Sequence, residues 1–166
     1  IKNDVLEVMA NGSLNYTVKG ICIGMKVTWN YTPPTNGGDT FTSIKKGSKA
    51  TLKIVQDEKN GFVKELYIQK EPDIDNRTFE AQLQKTVEQL QITYPFLSVK
   101  NKKNGTYLID IPQEKRLGHE EHFSKVAKAF LHYVHNQDMP EWENENTLAK
   151  YYITTTAVEM AKKGNK

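Results

Sequence analysis

Large apolar residues alternate with small or polar ones between residues 14 and 31, the pattern of a half-buried β-strand. In the second half of this stretch the large side chains share one face: Ile21, Ile23, Met25, Val27, Trp29 and Tyr31. The other face carries Cys22, Gly24, Lys26, Thr28 and Asn30. The apolar phase switches at Lys19-Gly20, so we predict a bulge or bend there and expect the large face to be packed.

Further strands are separated by turn-forming residues. A turn rich in Pro and Gly at 33–40 precedes predicted strands at 40–45, 50–56 and 63–69, and Asn60-Gly61 turns the chain into the last of these. Two short strands at 97–101 and 106–111 flank Asn104-Gly105, the strongest hairpin signal in the chain. The first part of the sequence therefore predicts a meander of antiparallel strands.

Helical periodicity begins at Asp75, which is a candidate N-cap together with Asn76, and Pro95 ends the pattern. A second helix is predicted at 119–136 and a third from about residue 148 toward Gly164, with residues 139–142 as a loop between them. The order β-β-β-β-α-β-β-α-α predicts an α+β fold. We expect a largely antiparallel open sheet of about six strands, with helices packed on one face.

Composition narrows the class of protein. A chain of 166 residues that is 37% hydrophobic suits one domain over residues 1–166. The net charge of +3 is scattered, which disfavours nucleic acid as a partner, and no apolar run is long enough to span a membrane. The single cysteine, Cys22, excludes an intramolecular disulfide, while cytoplasmic and periplasmic locations both stay open. The start at Ile1 suggests a processed protein or a piece of a longer one.

Motifs for metal or cofactor binding are weak. His119 and His122 flank two glutamates but lie three residues apart rather than four, so we interpret them as surface residues of a helix start. None of the ten glycines forms a GxGxxG turn between a strand and a helix. We therefore expect no metal site and no bound dinucleotide in this chain.

The turn at 33–40 is the best candidate for binding a small molecule, because rigid loops at sheet ends often carry binding groups. Asp39 offers an acceptor and Thr40 a hydroxyl of the kind that hydrogen-bonds a polyol. The alternative is that Asp39 caps the turn through its own backbone. Aromatic residues suggest a surface for stacking sugar rings, although strand alternation favours Trp29 as core. They are Trp29, Tyr31, Tyr67, Tyr107 and Trp142.

Six separated segments stand out when they are taken together and in order. They are Lys19-Gly20, Val27-Thr28-Trp29-Asn30, Gly38-Asp39-Thr40, Gly47-Ser48-Lys49-Ala50, Gly118-His119-Glu120 with His122-Phe123, and Leu148-Ala149-Lys150-Tyr151-Tyr152. In this order they resemble the C-terminal domain of the glucose-fructose oxidoreductase, inositol dehydrogenase and MocA (Gfo/Idh/MocA) family, most closely its Bacteroidetes-type branch. Relatives in this branch often have His after Gly-Asp-Thr, where this chain has Phe41.

The resemblance implies the C-terminal domain of an NAD- or NADP-dependent oxidoreductase that acts on a sugar, cyclitol or related polyol. It implies an N-terminal Rossmann domain, outside this chain, which holds the cofactor and the catalytic lysine, so no catalytic residue is assigned here. This chain would supply the substrate wall, with Asp39, Thr40 and Trp29 as candidates, and a surface for homo-oligomers on the open sheet face around Lys26, Thr28 and Asn30. A non-catalytic carbohydrate-binding or protein-interaction module is the alternative.

Overall fold

The computed structural model describes Asp4 and residues 10–164. These residues form seven strands, three helices longer than one turn and two short 3-10 turns, which confirms the α+β class. The strands are β1 (Gly12–Val18), β2 (Ile21–Val27), β3 (Phe41–Lys46), β4 (Ala50–Gln56), β5 (Glu65–Lys70), β6 (Ser98–Asn101) and β7 (Thr106–Asp110). The helices are α1 (Asn76–Gln91), α2 (His119–Asn136) and α3 (Glu141–Gly164).

The strands divide into two antiparallel sheets rather than one continuous sheet. β1 and β2 form a two-stranded sheet, and the other five pair in the order β3-β4-β5-β7-β6. The chain forms two compact units: the hairpin unit, residues 1–32 with 120–166, and the sheet unit, residues 33–119. One cooperative domain over the whole chain stays a prediction.

The phase switch at Lys19-Gly20 marks a hairpin, so the predicted bulge is wrong. Val18 pairs with Ile21, and the two residues between them have φ values of 49° and 79°. Two consecutive positive φ values are typical of the type I′ turn that joins twisted antiparallel strands. The usual Asn-Gly signal is missing at this turn, which explains why the alternation alone suggested one long bent strand.

The large face of β2 is open to solvent in the described residues, contrary to expectation. Ile21 is 67% exposed and Val27 is 43% exposed, and Trp29, two residues beyond the strand, is 75% exposed. The strand ends at Val27, so Thr28 and Asn30 lie beyond it and Lys26 alone of the predicted polar surface stands on the strand. A two-stranded sheet has no second layer of its own and is marginally stable in water, so this hairpin depends on contacts from outside itself.

The core of the sheet unit lies between the five-stranded sheet and α1. Tyr107 of β7 is 4% exposed, and its ring centroid lies 5.6 Å from that of Phe79 on α1. Ile109 and the α1 residue Val87 are also buried. For α1, the predicted packing of a helix on one face of the sheet is confirmed, as is its N-cap, because the Asp75 carboxylate accepts a hydrogen bond from the Thr78 backbone N–H at 2.8 Å.

A buried lysine holds the connection between β5 and α1. Lys70 is 8% exposed, and its ammonium donates to the carbonyls of Glu71 (2.9 Å), Pro72 (3.4 Å) and Ile74 (2.5 Å). Three acceptors match the three N–H donors of an ammonium group. The side chain therefore fixes the tight turn that delivers Asp75 to the start of α1.

Helix α3 begins earlier than its periodicity predicts. It starts at Glu141, so Trp142 lies in its first turn and the predicted loop shrinks to the residues before it. The Glu143 backbone N–H donates to the Pro140 carbonyl at 3.0 Å, which places proline at the helix start, where its missing N–H costs nothing. Neither α2 nor α3 contains a buried residue in the described part of the chain.

Candidate functional site

The turn at 33–40 lies in the sheet unit and is held at both ends. The Gly37 backbone N–H donates to the Pro34 carbonyl at 2.7 Å, and a Cβ at Gly37 would lie only 2.8 Å from that oxygen. The Gln56 side-chain amide on β4 donates to the Asp39 carbonyl at 2.9 Å. The turn is therefore tied to the sheet through main-chain groups, and glycine is required where it closes.

The Asp39 carboxylate takes no part in holding this turn. It is exposed, and it forms no hydrogen bond or ion pair with any residue that the structure describes. The alternative in which Asp39 caps its own turn is therefore not the observed arrangement. Thr40, which is also exposed, follows directly and leads into β3, so the structure brings a carboxylate and a hydroxyl together on one anchored turn.

One cation contacts the residue that follows this turn, and a second cation bonds the backbone of the first. The Lys64 ammonium lies 5.2 Å from the ring centroid of Phe41, the first residue of β3, which is the distance of a cation–π contact. The Arg116 guanidinium donates to the carbonyls of Lys64 at 2.6 Å and Ile111 at 3.0 Å. Neither cation pairs with a carboxylate among the described residues. The sequence carries no motif that singles out either residue, because both contacts depend on the strand order.

Trp29 belongs to the hairpin unit, so the structure does not join it to Asp39 and Thr40 within one unit. The prediction that Trp29 is a core residue is wrong, since it is 75% exposed in the described structure. Its backbone N–H donates to the Asn11 side-chain oxygen at 2.6 Å, which links the ends of the hairpin.

Two tyrosines considered for stacking have structural roles. The Tyr107 hydroxyl donates to Glu80 at 2.8 Å, and burial together with this bond raises the pKa of Tyr107. On the opposite sheet face the Tyr67 hydroxyl donates to Glu65 at 2.6 Å, and this bond with partial burial raises the pKa of Tyr67 to about 12. Both phenols therefore stay protonated at neutral pH, and the buried Tyr107 ring cannot stack on a sugar.

The histidines at the start of α2 do not build a metal centre. His119 and His122 are exposed in its first turn. Across residue 4 and residues 10–164, no three His, Cys, Asp or Glu side chains come together as a metal-binding group. The described helices also include none that is long and apolar enough to cross a membrane.

The helix starts of this chain do not fit the phosphates of a dinucleotide. Such phosphates need free backbone N–H groups at a helix N-terminus, usually after a glycine-rich turn. The Asp75 carboxylate already accepts the Thr78 N–H at the start of α1, and that hydrogen bond lowers the pKa of Asp75. Glutamates occupy the first turns of α2 and α3. Negative charge at these helix starts repels a phosphate.

Comparison with known proteins places the chain in a family. Residues 1–162 match the family described as "Putative oxidoreductase C terminal domain". The crystal structure of a putative oxidoreductase from Parabacteroides merdae ATCC 43184 is 40% identical in sequence, with a TM-score of 0.90; the match covers 98% of this chain and 37% of that one. None of the curated proteins matches this chain. The chain spans little more than a third of its structural relative, and it belongs to the oxidoreductase C-terminal domain family.

Proposed function

We propose that this chain forms the substrate wall of an NAD- or NADP-dependent oxidoreductase of the Gfo/Idh/MocA type, which acts on a sugar, cyclitol or related polyol. The family match and the six ordered segments that resemble this group support the proposal. The cofactor would be held by an N-terminal Rossmann domain, since the helix starts described above do not suit its phosphates. When bound there, the nicotinamide supplies or accepts the hydride.

One observation carries the proposal: the anchored turn presents Asp39 and Thr40 with their side chains uncommitted in the described structure. A carboxylate can accept hydrogen bonds from two neighbouring hydroxyls of a polyol, and the threonine hydroxyl can donate or accept. Main-chain bonds fix the turn, so the two side chains are positioned before a ligand arrives. The Lys64 ammonium is held over the ring of Phe41, the residue that follows Thr40.

In the full-length oxidoreductase, we expect Asp39→Ala to raise the KM for the polyol about tenfold, because a hydrogen bond to a charged group contributes on the order of 1.5–3 kcal/mol. The melting temperature should stay unchanged, since the carboxylate stabilises nothing in the described structure. Steady-state kinetics and thermal melts measure both effects.

Asp57→Ala is the matched control for this experiment. The Asp57 carboxylate accepts the Lys59 backbone N–H at 2.9 Å and caps a 3-10 turn of the same unit. Its loss should lower the melting temperature and leave the KM alone. Unchanged kinetics for Asp39→Ala, or a melting temperature lowered as far as in the control, would assign Asp39 to structure and reject it as a substrate residue.

An exposed tryptophan supports one competing function, a carbohydrate-binding module without catalysis, because an open indole ring can stack on a sugar. The two functions differ in whether the full-length protein binds a nicotinamide cofactor and in whether the isolated chain binds a sugar by itself. We expect residues 1–166 alone to bind neither NADH nor NADPH in titration calorimetry, since their helix starts repel phosphate. A micromolar dissociation constant for either cofactor would contradict this expectation, whereas binding of a neutral sugar by the isolated chain would favour the module.

Self-association is the remaining part of the proposal. The polar face of the hairpin carries Thr17, Cys22 and Lys26, all exposed in the described structure. Among the described residues, no further strand pairs with either edge of this two-stranded sheet, and unpaired edges favour pairing with another chain. We propose that the hairpin contributes to a homo-oligomer.

A further inference from the structure

Helix α2 presents an apolar stripe to solvent. Val126, Phe130, Leu131 and Val134 are each more than half exposed, and their spacing places them on one helix face. We call this set the α2 stripe. An amphipathic helix is normally stabilised by burying such a face, so α2 lacks its cover in the described structure.

Helix α3 has two different sides. Ile153 and Ala157, one turn apart, are half-buried. On the opposite side Leu148 and Tyr152 are 71% and 73% exposed, and Tyr151 between them is 59% exposed. We call these three residues the α3 stripe; their spacing of i, i+3 and i+4 is that of a helix that docks into an apolar groove.

The α3 stripe continues toward the C-terminus through a threonine whose polar group is satisfied. The Thr155 hydroxyl, one turn after Tyr151, donates to the Tyr151 carbonyl at 2.6 Å. Because this hydroxyl is already hydrogen-bonded within the helix, Thr155 can contact a partner through its methyl group. A partner surface can cover this part of the helix without supplying an acceptor for Thr155.

Leaving both stripes in water is costly. The seven side chains of the two stripes are between 53% and 73% exposed, so much of the free energy available from burying them is not yet gained. We therefore expect both stripes to be covered in the full-length protein.

We infer that the part of the oxidoreductase N-terminal to this chain covers the α2 and α3 stripes, an inference that rests on the proposed function. The matched family is a C-terminal domain, and the relative from Parabacteroides merdae has nearly two thirds of its chain outside the match. That is enough polypeptide for a second domain. A covering domain in the same chain is present at every protein concentration, whereas binding of a second copy depends on concentration.

The stripes also define the chemistry of the covering surface. It must be apolar where it meets Val126, Phe130 and Leu148, and it must offer hydrogen-bond acceptors at its rim for the hydroxyls of Tyr151 and Tyr152.

Hydrogen–deuterium exchange of the full-length protein, compared with residues 1–166, tests the inference. Peptides from α2 and α3 should exchange at least about tenfold more slowly in the full-length protein, because docking suppresses local opening. Phe130→Glu and Tyr152→Glu should each abolish that slowing, while Tyr152→Phe should keep it. Lys128→Glu and Asn146→Glu, which add negative charge at exposed polar positions of the same helices, serve as controls and should keep it.

Two results would overturn the inference: equal exchange of α2 and α3 in the two proteins, or slowing that appears only when sedimentation velocity shows a dimer. The second result would assign the stripes to another copy of the chain. The exchange readout does not use substrate turnover, so a docked protein that is inactive on polyols would reject the proposed substrate and keep the interface. Circular dichroism of residues 1–166 should be the same for Tyr152→Glu and the parent, which shows that the helix itself survives.

Discussion

Replacing Lys70 by methionine is expected to lower the free energy of unfolding of the sheet unit by about 1–3 kcal/mol, the usual cost of leaving buried hydrogen-bond acceptors without their donor. Methionine keeps much of the apolar stem but donates nothing to the carbonyls of Glu71, Pro72 and Ile74. These carbonyls must then find water or stay unpaired. Urea denaturation followed by circular dichroism measures the change.

Lys53→Met on β4 is the matched control, since Lys53 is exposed and forms no side-chain bond in the described structure. Its effect should stay within about 0.5 kcal/mol, as for most surface substitutions. Hydrogen exchange adds a local readout: the first turn of α1 should open more readily in Lys70→Met, because the turn that places the Asp75 cap is loosened. Equal stability of Lys70→Met and Lys53→Met would show that the three carbonyls are satisfied without the ammonium.

The parts of the fold predicted correctly from sequence are those whose signals are local. Asp75 caps α1, and a two-residue turn at Asn104-Gly105 joins β6 to β7, with φ values of 49° and 71°. In both cases the residues that carry the signal also make the decisive contact. Strand alternation likewise located β3, β4 and β5 to within a few residues.

The parts that failed depend on contacts far apart in sequence. A lysine at the end of a strand is normally predicted to be a surface residue. No pattern near Lys70 in the sequence predicts that three carbonyls surround its ammonium. Arg116 reaches Lys64 across 52 positions of the chain. Alternation likewise predicts that Trp29 is packed, whereas it is exposed in the described structure. The pattern shows which strand face is apolar, but it does not show which part of the protein buries that face.

At the candidate site, too, local features were predicted from the sequence and long-range contacts were not. The sequence identified Asp39 and Thr40 as a pair on a rigid turn, because Pro and Gly restrict that turn locally. It left open whether the carboxylate caps the turn. Among the described residues the carboxylate forms no hydrogen bond, and the Gln56 side chain holds the turn through the Asp39 main-chain carbonyl instead. Lys64 contacts Phe41 because β3, β4 and β5 pair side by side, and Arg116 bonds the Lys64 carbonyl because β7 pairs with β5.

Introducing a carboxylate at Val87 is expected to unfold the sheet unit. Val87 is 3% exposed and is the one buried residue of α1 in the described structure. A charge there must either be desolvated against the sheet or push α1 away from it, and both cost several kcal/mol. The loss approaches the total stability of a typical domain, about 5–15 kcal/mol. Val87→Asp should therefore lose its cooperative melting transition at neutral pH.

Acidic conditions separate the effect of charge from that of shape. Protonating the introduced carboxyl at low pH removes most of the desolvation penalty, because a neutral carboxyl is far easier to bury than an ion. We therefore expect Val87→Asp to regain part of its near-ultraviolet circular dichroism near pH 4. Val87→Asn has a similar size and no charge. It should melt below the parent protein but still cooperatively, at a temperature that does not change between pH 4 and neutral pH. A folded Val87→Asp with an unchanged melting temperature at neutral pH would show that α1 does not need its sheet contact. The sheet unit would then owe its stability to the sheet alone, contrary to the packing of Phe79 on Tyr107.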